Sequence, residues 1–204
     1  KNTSGAAGSW NTGINWVNEH HPKSYIAILD DDDYWHESHI KECLQALELA
    51  PNSDLVLSNI TMIKKGIETV KALPQSITKE QFLTGNPGWQ GSNTFIKTSS
   101  IIEAGQFNEA FQSTNDRDLA VRFLSIDRML VSLTHKQTVY WVCQSRRDAL
   151  SQPGSPKKLQ GLAMFYLHHL KDSQCKATLN AFFSRCEKIF KISKHEIINY
   201  SYLK

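Results

Sequence analysis

An apolar segment that ends in four consecutive aspartates constrains this chain more than any other feature of its sequence. Residues 26–29 read Ile-Ala-Ile-Leu, and Asp30, Asp31, Asp32 and Asp33 follow directly. A short run of branched apolar residues is typical of a buried strand, whereas adjacent carboxylates repel one another and resist burial without a compensating cation. Because open α/β sheets bind ligands at the carboxyl ends of strands, the pattern predicts an Mg²⁺ or Mn²⁺ site there. A solvated acidic turn is the alternative.

Length and composition describe a globular protein with an uneven charge distribution. The 204 residues are 40% hydrophobic and 21% charged, which permits one sizeable core. No run approaches the roughly 18 to 20 apolar residues of a membrane span, and the first residues lack the apolar core of a signal peptide, so we expect a cytoplasmic protein. Residues 157–204 carry nine Lys or Arg against three Asp or Glu. This basic region predicts either weak association with the inner face of a membrane or charged helix surfaces, and no nucleic-acid binding.

The spacing of the cysteines and histidines does not match that of a zinc site. The four cysteines are far apart in sequence and form no Cys-x-x-Cys pair, which predicts thiols in a reducing compartment. His36 and His39 form a His-x-x-His pair, but two histidines one turn apart on an exposed helix are common, and no matching third ligand is visible.

The order of strand and helix signals predicts an α/β fold with a mixed sheet. Strand signals cover residues 25–29, 54–63, a short segment after Gly66, 92–97, 129–133 and 138–143. Helical spacing covers residues 36–50, 78–83, 99–104 and 116–125, and residues 2–15 predict a loop that leads into a short helix. After Pro156 the spacing is helical only and predicts a hairpin of helices. We therefore predict an α/β domain over residues 1–152 and a C-terminal helical region over residues 153–204.

Several polar segments, taken in order, resemble the family 2 glycosyltransferases of the GT-A fold. The segments are Gly5, Asn11 and Gly13; Leu29 to Trp35; Gly91 to Ile96; Glu103 to Glu109; and Asn115 to Arg122. Each is weak alone, but the ordered set, which covers roughly residues 2 to 151, is a strong signal. The resemblance implies a GT-A-like mixed sheet flanked by helices, with a C-terminal helical appendage. It also implies transfer of a sugar, with inversion, from a nucleoside diphosphate sugar to an acceptor hydroxyl in polysaccharide assembly. A UDP-sugar donor and a glycan or lipid-linked acceptor are favoured.

In that family the pattern Leu-Asp-x-Asp-Asp binds the metal and the nucleotide sugar. It maps to Asp30, Asp32 and Asp33 as donor-binding residues, with Asp31 at the variable position. We expect Mn²⁺ or Mg²⁺ on Asp32 first and on Asp33 second. Such a metal would neutralise the diphosphate leaving group.

The arginines after the last strand are further donor-binding candidates. Many family members carry a His there, within a stretch resembling His-x-x-Ser-x-Ser, that completes the metal or diphosphate site. Here the stretch is Arg146-Arg147-Asp-Ala-Leu-Ser. Arg146 or Arg147 would therefore contact phosphate oxygens directly, and surface arginines are the alternative.

The acceptor hydroxyl must lose a proton, so the reaction needs a general base. Asp116 and Asp118 are the catalytic candidates. In family members an acidic pair opens this helix and its Asp is the base, which points to Asp116. Asn115 stands at the usual Glu position, and we expect it to contact the acceptor. The alternative for Asp116 is a charge that stabilises a helix N-terminus.

Trp89 and the turn that contains Gly91 precede a strand that contacts donor sugar or acceptor in the family. We expect both residues on the acceptor side, with Trp89 stacked on a pyranose ring. An ordinary buried tryptophan is the alternative.

From the resemblance we expect the first nucleotide-binding βαβ unit of the family pattern to be absent from these residues. The unpaired sheet edges that this predicts favour a homodimer through strand pairing. Two other functions stay open. One is a non-catalytic binding or assembly module, or an inactive fragment, derived from such an enzyme. The other is a metal-dependent nucleotidyl or phosphoryl transferase, which the lack of a Gly-rich phosphate loop with Lys disfavours.

Overall fold

The computed structural model describes residues 3, 5–143 and 153–202, which form a six-stranded mixed sheet with helices around it. The strands are β1 (Tyr25–Ala27), β2 (Tyr34–Trp35), β3 (Leu55–Lys64), β4 (Ile67–Lys71), β5 (Thr94–Lys97) and β6 (Val131–Cys143). The helices are α1 (Ala6–His20), α2 (His39–Leu49), α3 (Lys79–Thr84), α4 (Thr98–Glu103), α5 (Asn115–Phe123), α6 (Pro156–His169), α7 (Lys176–Phe190) and α8 (Lys194–Tyr202). This arrangement confirms the predicted α/β class. No described helix is both long enough and apolar enough to cross a membrane.

The strand order places the acidic segment across one end of the sheet. The order is β1-β5-β3-β6-β2, and β4 pairs with β3 off this path. β3 and β6 are parallel, whereas the other pairs are antiparallel. Since β1 and β2 lie at opposite ends of this order, the segment that joins them, residues 28–33, must pass the strands between. β1 pairs with β5 on one side and with no other described strand. Dimerisation through such an edge stays a prediction.

The core extends from the sheet into the C-terminal helices. β3 is buried over seven of its ten residues because strands flank it on both sides. One cluster of buried apolar residues joins Leu57 of β3 to Phe123 of α5, Phe165 of α6 and Phe182 of α7. Each such side chain contributes about 1.5 to 3 kcal/mol through burial. The C-terminal helices therefore share a core with the sheet and help to position α5.

Helix α6 packs closely against the segment that leads into α5. Ser155 caps α6 by accepting a hydrogen bond from the Lys158 amide at 3.1 Å, and Pro156 occupies the first turn. Gln160 accepts from the Gln112 amide at 2.8 Å and donates to the Ala110 carbonyl at 2.7 Å. A Cβ at Gly161 would overlap the backbone of Ser113, so only glycine permits this approach.

Three local predictions are wrong. Residues 6–15 belong to α1 rather than to a loop, because Asn11 exchanges hydrogen bonds with the backbone of Phe107 at 2.8 and 3.0 Å instead of forming a turn. The strands predicted at 129–133 and 138–143 are one strand, β6, which follows β3 through a register shift. The predicted helical hairpin contains three helices, since Lys191 in a left-handed conformation ends α7 and a short link leads to α8.

Candidate active site

The four aspartates form a turn whose middle is exposed and whose ends are half-buried. The Asp33 amide donates to the Asp30 carbonyl at 3.2 Å, which closes the turn. Asp31 and Asp32 occupy its two central positions and are exposed, whereas Asp30 and Asp33 are half-buried. The turn therefore presents two carboxylates to solvent and directs two toward the protein.

Ser92 ties both ends of this turn to the 3₁₀ turn at Gly91–Asn93. Its hydroxyl accepts from the Asp30 amide at 3.1 Å and donates to Asp33 Oδ2 at 2.6 Å. The other oxygen of Asp33, Oδ1, accepts from the Val142 amide at 3.0 Å. Burial raises the pKa of Asp33, and these hydrogen bonds oppose the rise. Asp33 thus links β2, β6 and the 3₁₀ turn, with both of its oxygens already partnered.

Asp30 lies in a close-fitting environment between Trp10 and Gly91. The Trp10 side chain donates a hydrogen bond to its carboxylate. A Cβ at Gly91 would lie 3.0 Å from Asp30 Oδ1 and 3.3 Å from Trp10 Cζ2, so Gly91 leaves room for the carboxylate. Burial and then the neighbouring aspartates, Asp33 foremost, raise the pKa of Asp30 to about 7. The structure therefore brings predicted residue Gly91 against predicted residue Asp30.

Asp116 brings a fifth carboxylate to the same place from the first turn of α5. The residue is half-buried, and its Oδ1 is fully buried without a hydrogen-bond partner in the described chain. Burial raises the pKa of Asp116 to about 7; Asp30 adds to the rise and Lys158 opposes it. Thr114, just before α5, has φ of 72°, an uncommon conformation for a β-branched residue. Asp116 is thus a carboxyl group that can hold or release a proton near neutral pH.

Asp118 has the opposite environment, although it lies only two residues away. It is fully buried, and its Oδ1 accepts from His169 Nε2 at 2.8 Å. Its Oδ2 accepts from the Arg122 guanidinium at 2.7 and 3.0 Å. Burial alone would raise the pKa of Asp118, but the hydrogen bonds from His169 and Arg122 hold it below its usual value. Both oxygens are occupied: the His169 contact joins α5 to α6, and the Arg122 contact lies within α5.

The predicted acceptor residues Trp89 and Asn115 lie inside the protein. Trp89 is 1% exposed, donates its indole N–H to Thr94 Oγ1 at 2.9 Å and meets Phe123 edge-on. It therefore has the buried role that the alternative interpretation described, and no ring face is open to a sugar. Asn115 is also buried and donates to the Phe111 carbonyl at 3.0 Å, so its amide orders the start of α5. Predicted donor residues Arg146 and Arg147 lie outside the described residues.

The arrangement of the carboxylates fits a metal ion that is bound jointly by the protein and a diphosphate. It does not fit a metal ion that is held by protein side chains alone. Within residues 5–143 and 153–202, no three His, Cys, Asp or Glu side chains are grouped closely enough to hold a metal ion. Mg²⁺ commonly takes one or two carboxylates and completes its coordination with substrate phosphates and water. Exposed Asp32 together with Asp30 would make such a smaller set, whereas both oxygens of Asp33 already accept hydrogen bonds.

Histidine roles differ from the sequence interpretation. His39 is buried rather than exposed; its Nδ1 bonds to Thr138 Oγ1 at 2.8 Å, and burial lowers its pKa to about 4. His36 is exposed and bonds to Ser38, so the two histidines do not share a ligand. His169, which we did not predict to have a role, binds Asp118.

Sequence reasoning also missed Trp10, Ser92 and Lys158. Ser92 lies within a segment that carried the family resemblance, and that position is the only local signal for it. Trp10 and Lys158 reach the site from α1 and α6, and no local pattern marks either of them.

Comparison with protein families and solved structures gives a consistent result. The model of the family described as glycosyl transferase family 2 matches residues 1–112, more than half of the 204 residues. No curated protein matches the sequence.

The solved structures that resemble this chain include several of TarS from S. aureus. TarS 1–349 in complex with UDP-GlcNAc superposes with a TM-score of 0.57 at 14% identity, covering 89% of this chain and 53% of that one. Its complex with UDP gives a TM-score of 0.54 at 13% identity, covering 89% and 51%. The longer TarS chain gives 0.55 at 13% identity, covering 90% and 32%. This chain thus spans about half or less of those proteins, and the likeness confirms the predicted GT-A-like fold.

Proposed function

We propose that this chain, which belongs to glycosyl transferase family 2, transfers a sugar from a nucleoside diphosphate sugar to an acceptor hydroxyl. The observation that carries the proposal is the placement of Asp116. Its Oδ1 is buried without a hydrogen-bond partner among the described residues, and Asp30, which opens the acidic turn, is near enough to raise its pKa. A carboxylate that can take a proton beside a cluster able to hold a diphosphate is what such a transfer requires.

On the donor side, Asp30 and Asp32 would hold the diphosphate through Mn²⁺ or Mg²⁺. When bound, the metal neutralises the charge that develops on the leaving diphosphate. Ser92 and Trp10 keep Asp30 in place, and Asp33 fixes the turn through its bonds to Ser92 and Val142. The TarS complexes with UDP-GlcNAc and UDP support a UDP-sugar as donor.

On the acceptor side, Asp116 is the general base. Its pKa of about 7 gives it both a substantial ionised fraction at neutral pH and enough basicity to remove the hydroxyl proton. The oxygen of the acceptor then attacks the anomeric carbon, the bond from that carbon to the diphosphate breaks, and Asp116 retains the proton. A single displacement of this kind inverts the anomeric configuration. Asp118, whose oxygens already bind His169 and Arg122, orders the helix that carries the base.

Calorimetric titration with UDP and with GDP, each with and without Mn²⁺, tests the donor side. We expect UDP to bind only when Mn²⁺ is present, and GDP to bind more weakly. Asp32→Asn should weaken that binding about tenfold or more through loss of a charge-assisted contact. Glu48→Gln, an exposed carboxylate on α2, is the matched control and should bind UDP as the wild type does.

Asp116→Asn separates chemistry from binding. It should retain UDP binding and reduce transfer, measured as UDP released in the presence of acceptor, by about 10² to 10⁴-fold. Equal loss of UDP affinity in both variants would contradict the assignment of Asp116 as base. A folded chain that binds no nucleotide would instead support the alternative of a non-catalytic module.

A further inference from the structure

Lys158 is a buried cation for whose ammonium group the described residues supply no hydrogen bond and no ion pair. It lies in the first turn of α6, is 8% exposed and approaches the ring of Phe190 at 4.8 Å. In the described part of the chain its ammonium group makes no hydrogen bond and no ion pair. A lysine at this position also opposes the positive end of the helix dipole. Burial, and then Arg117, lower the pKa of Lys158 to about 8, so it is still largely charged at neutral pH.

Arg185 on α7 is a second cation with unused donors. Its Nε is buried, and the guanidinium donates no hydrogen bond to any described residue. The guanidinium lies against Gly85, 3.7 Å from the position that a Cβ would take there. Buried donors in folded proteins nearly always have an acceptor, and an exception calls for an explanation such as an absent ligand. Gly85 begins the segment that leads to Gly91, which lies against Asp30.

Arg117 is a third cation, and it lowers the pKa of Lys158. Its contacts show what a structural role requires. Its guanidinium donates to the Phe82 carbonyl at 2.8 and 3.1 Å and stacks on the Phe165 ring at 4.2 Å. Lys158 and Arg185 have no comparable acceptors in the part of the chain that the structure describes. Asp116 is the one carboxylate among the described residues that acts on Lys158, whereas Arg117 and Arg185 both act on it as like charges.

We propose that Lys158 and Arg185 form a subsite for an oxyanion, a phosphate or a carboxylate group that the acceptor carries. The guanidinium supplies directional donors, and the ammonium supplies a point charge. The N-terminus of α6 adds a favourable field for an anion. Assigning this anion to the acceptor rests on the proposed function, because it lies beside the proposed base Asp116. The subsite itself does not depend on that function.

The position of Asp116 distinguishes the acceptor from the donor as the source of the anion. Asp30 raises the pKa of Asp116, and Lys158 opposes that rise. The donor diphosphate belongs with Asp30 and the acidic turn. We assign the cation pair to the acceptor because Lys158 acts on Asp116, so an acceptor whose hydroxyl meets Asp116 would bring a charged substituent near Lys158.

The test is a titration of the full chain with inorganic phosphate, followed through the ¹H–¹⁵N resonance of Arg185 Nε. We expect a saturable shift, and a dissociation constant that rises about ten- to hundredfold in Lys158→Met. Lys188→Met, an exposed lysine one turn from Arg185 on α7, should bind phosphate as the wild type does. Lys158→Met removes an unpartnered buried charge, so we expect it to fold at least as well.

A parallel titration with UDP and Mn²⁺ separates the two sources of the anion. We expect Lys158→Met and Arg185→Gln to bind UDP with unchanged affinity. Loss of UDP affinity matching the loss of phosphate affinity would assign the cations to the donor and overturn the acceptor assignment. Absence of an Arg185 shift in the wild type, or equal phosphate binding in all variants, would overturn the subsite. If phosphate binds as expected but UDP does not bind to the wild type, the proposed function fails and the subsite stands.

Discussion

Helix α5 carries two aspartates, two residues apart, with opposite surroundings. Asp116 has a buried oxygen to which no described residue donates, and its pKa is raised to about 7 by burial and by Asp30. Asp118 is buried more completely, yet its two oxygens bind His169 and Arg122, and its pKa lies below the usual value. Burial therefore does not explain why the two pKa values differ, because it raises the pKa at both positions. The two pKa values differ because His169 and Arg122 donate hydrogen bonds to Asp118, whereas no described group donates to Asp116 Oδ1.

Environments that separate the pKa values of neighbouring acids also separate their roles. Asp118, whose pKa is lowered, is an anchor that fixes α5 to α6 through His169. Asp116 is left unsatisfied, which destabilises the folded state and keeps a proton acceptor available. The same substitution, Asp to Asn, should therefore have opposite effects on stability at the two positions.

The largest expected change is the loss of stability in Asp118→Asn. Removing one member of a buried charged network leaves the others without compensation, and we expect a loss on the order of 3 kcal/mol in urea unfolding at pH 7. Because the folded pKa of Asp118 is lowered, its contribution is present above the unfolded value and disappears as pH falls through the folded value. The difference from wild type should shrink accordingly in acid.

Asp172→Asn is the matched control for that experiment, since Asp172 is exposed in the turn after α6. It should change the free energy of unfolding by less than about 0.5 kcal/mol. A loss below about 1 kcal/mol in Asp118→Asn would mean that the two aspartates do not differ as described.

Asp116→Asn should raise the free energy of unfolding, by less than Asp118→Asn lowers it. A rise of the pKa from 3.8 to about 7 corresponds to a few kcal/mol. Partial exposure and the unmet hydrogen bonds of the new amide reduce the expected gain to about 2 kcal/mol at pH 8. Because the pKa of Asp116 is raised in the folded protein, its ionisation costs no stability below the pKa of the unfolded chain. This cost grows as pH rises and is complete above about pH 7.

Urea unfolding of wild type and Asp116→Asn between pH 4 and pH 8 measures this gain. The two curves should converge at pH 4 and separate steadily up to about pH 7. Curves that stay parallel over the whole range would show that Asp116 has no raised pKa.

The contrast between the two aspartates could be predicted only in part from the sequence. The apolar run before Asp30 and the start of α5 at Asn115 are local patterns, so the acidic turn and the first-turn position of Asp116 were predictable. His169 is 51 residues from Asp118, and no local pattern predicts their pairing. The burial of Trp89 could not be predicted locally either. It depends on packing against Phe82 of α3 and Phe123 of α5, which belong to elements other than the polar turn beside Trp89.

His169→Ala should have a smaller effect than Asp118→Asn, because Arg122 still compensates the carboxylate. We expect a loss of about 1 to 2 kcal/mol from one charge-assisted hydrogen bond and its packing on Phe165. In a ¹³C NMR titration the pKa of Asp118 should rise while that of Asp116 stays where it is. A simultaneous change at both residues would show that α5 moves as a unit and that the two sites are not independent.

The smallest expected effect on stability is that of Gly91→Ala. The new Cβ would lie 3.0 Å from Asp30 Oδ1 and 3.3 Å from Trp10, so these groups must move by a few tenths of an ångström. We expect a loss of about 1 kcal/mol or less in unfolding, and a severalfold loss of UDP affinity in the presence of Mn²⁺. Gly13→Ala is the control, since a Cβ at that position of α1 meets nothing within 4 Å and alanine favours a helix. Because Asp30 adds to the raised pKa of Asp116, moving it away should also lower the pKa of Asp116 slightly while leaving Asp118 unchanged. An unchanged Asp116 titration in a variant that has lost UDP affinity would show that burial alone, and not Asp30, distinguishes Asp116 from its neighbour on the helix.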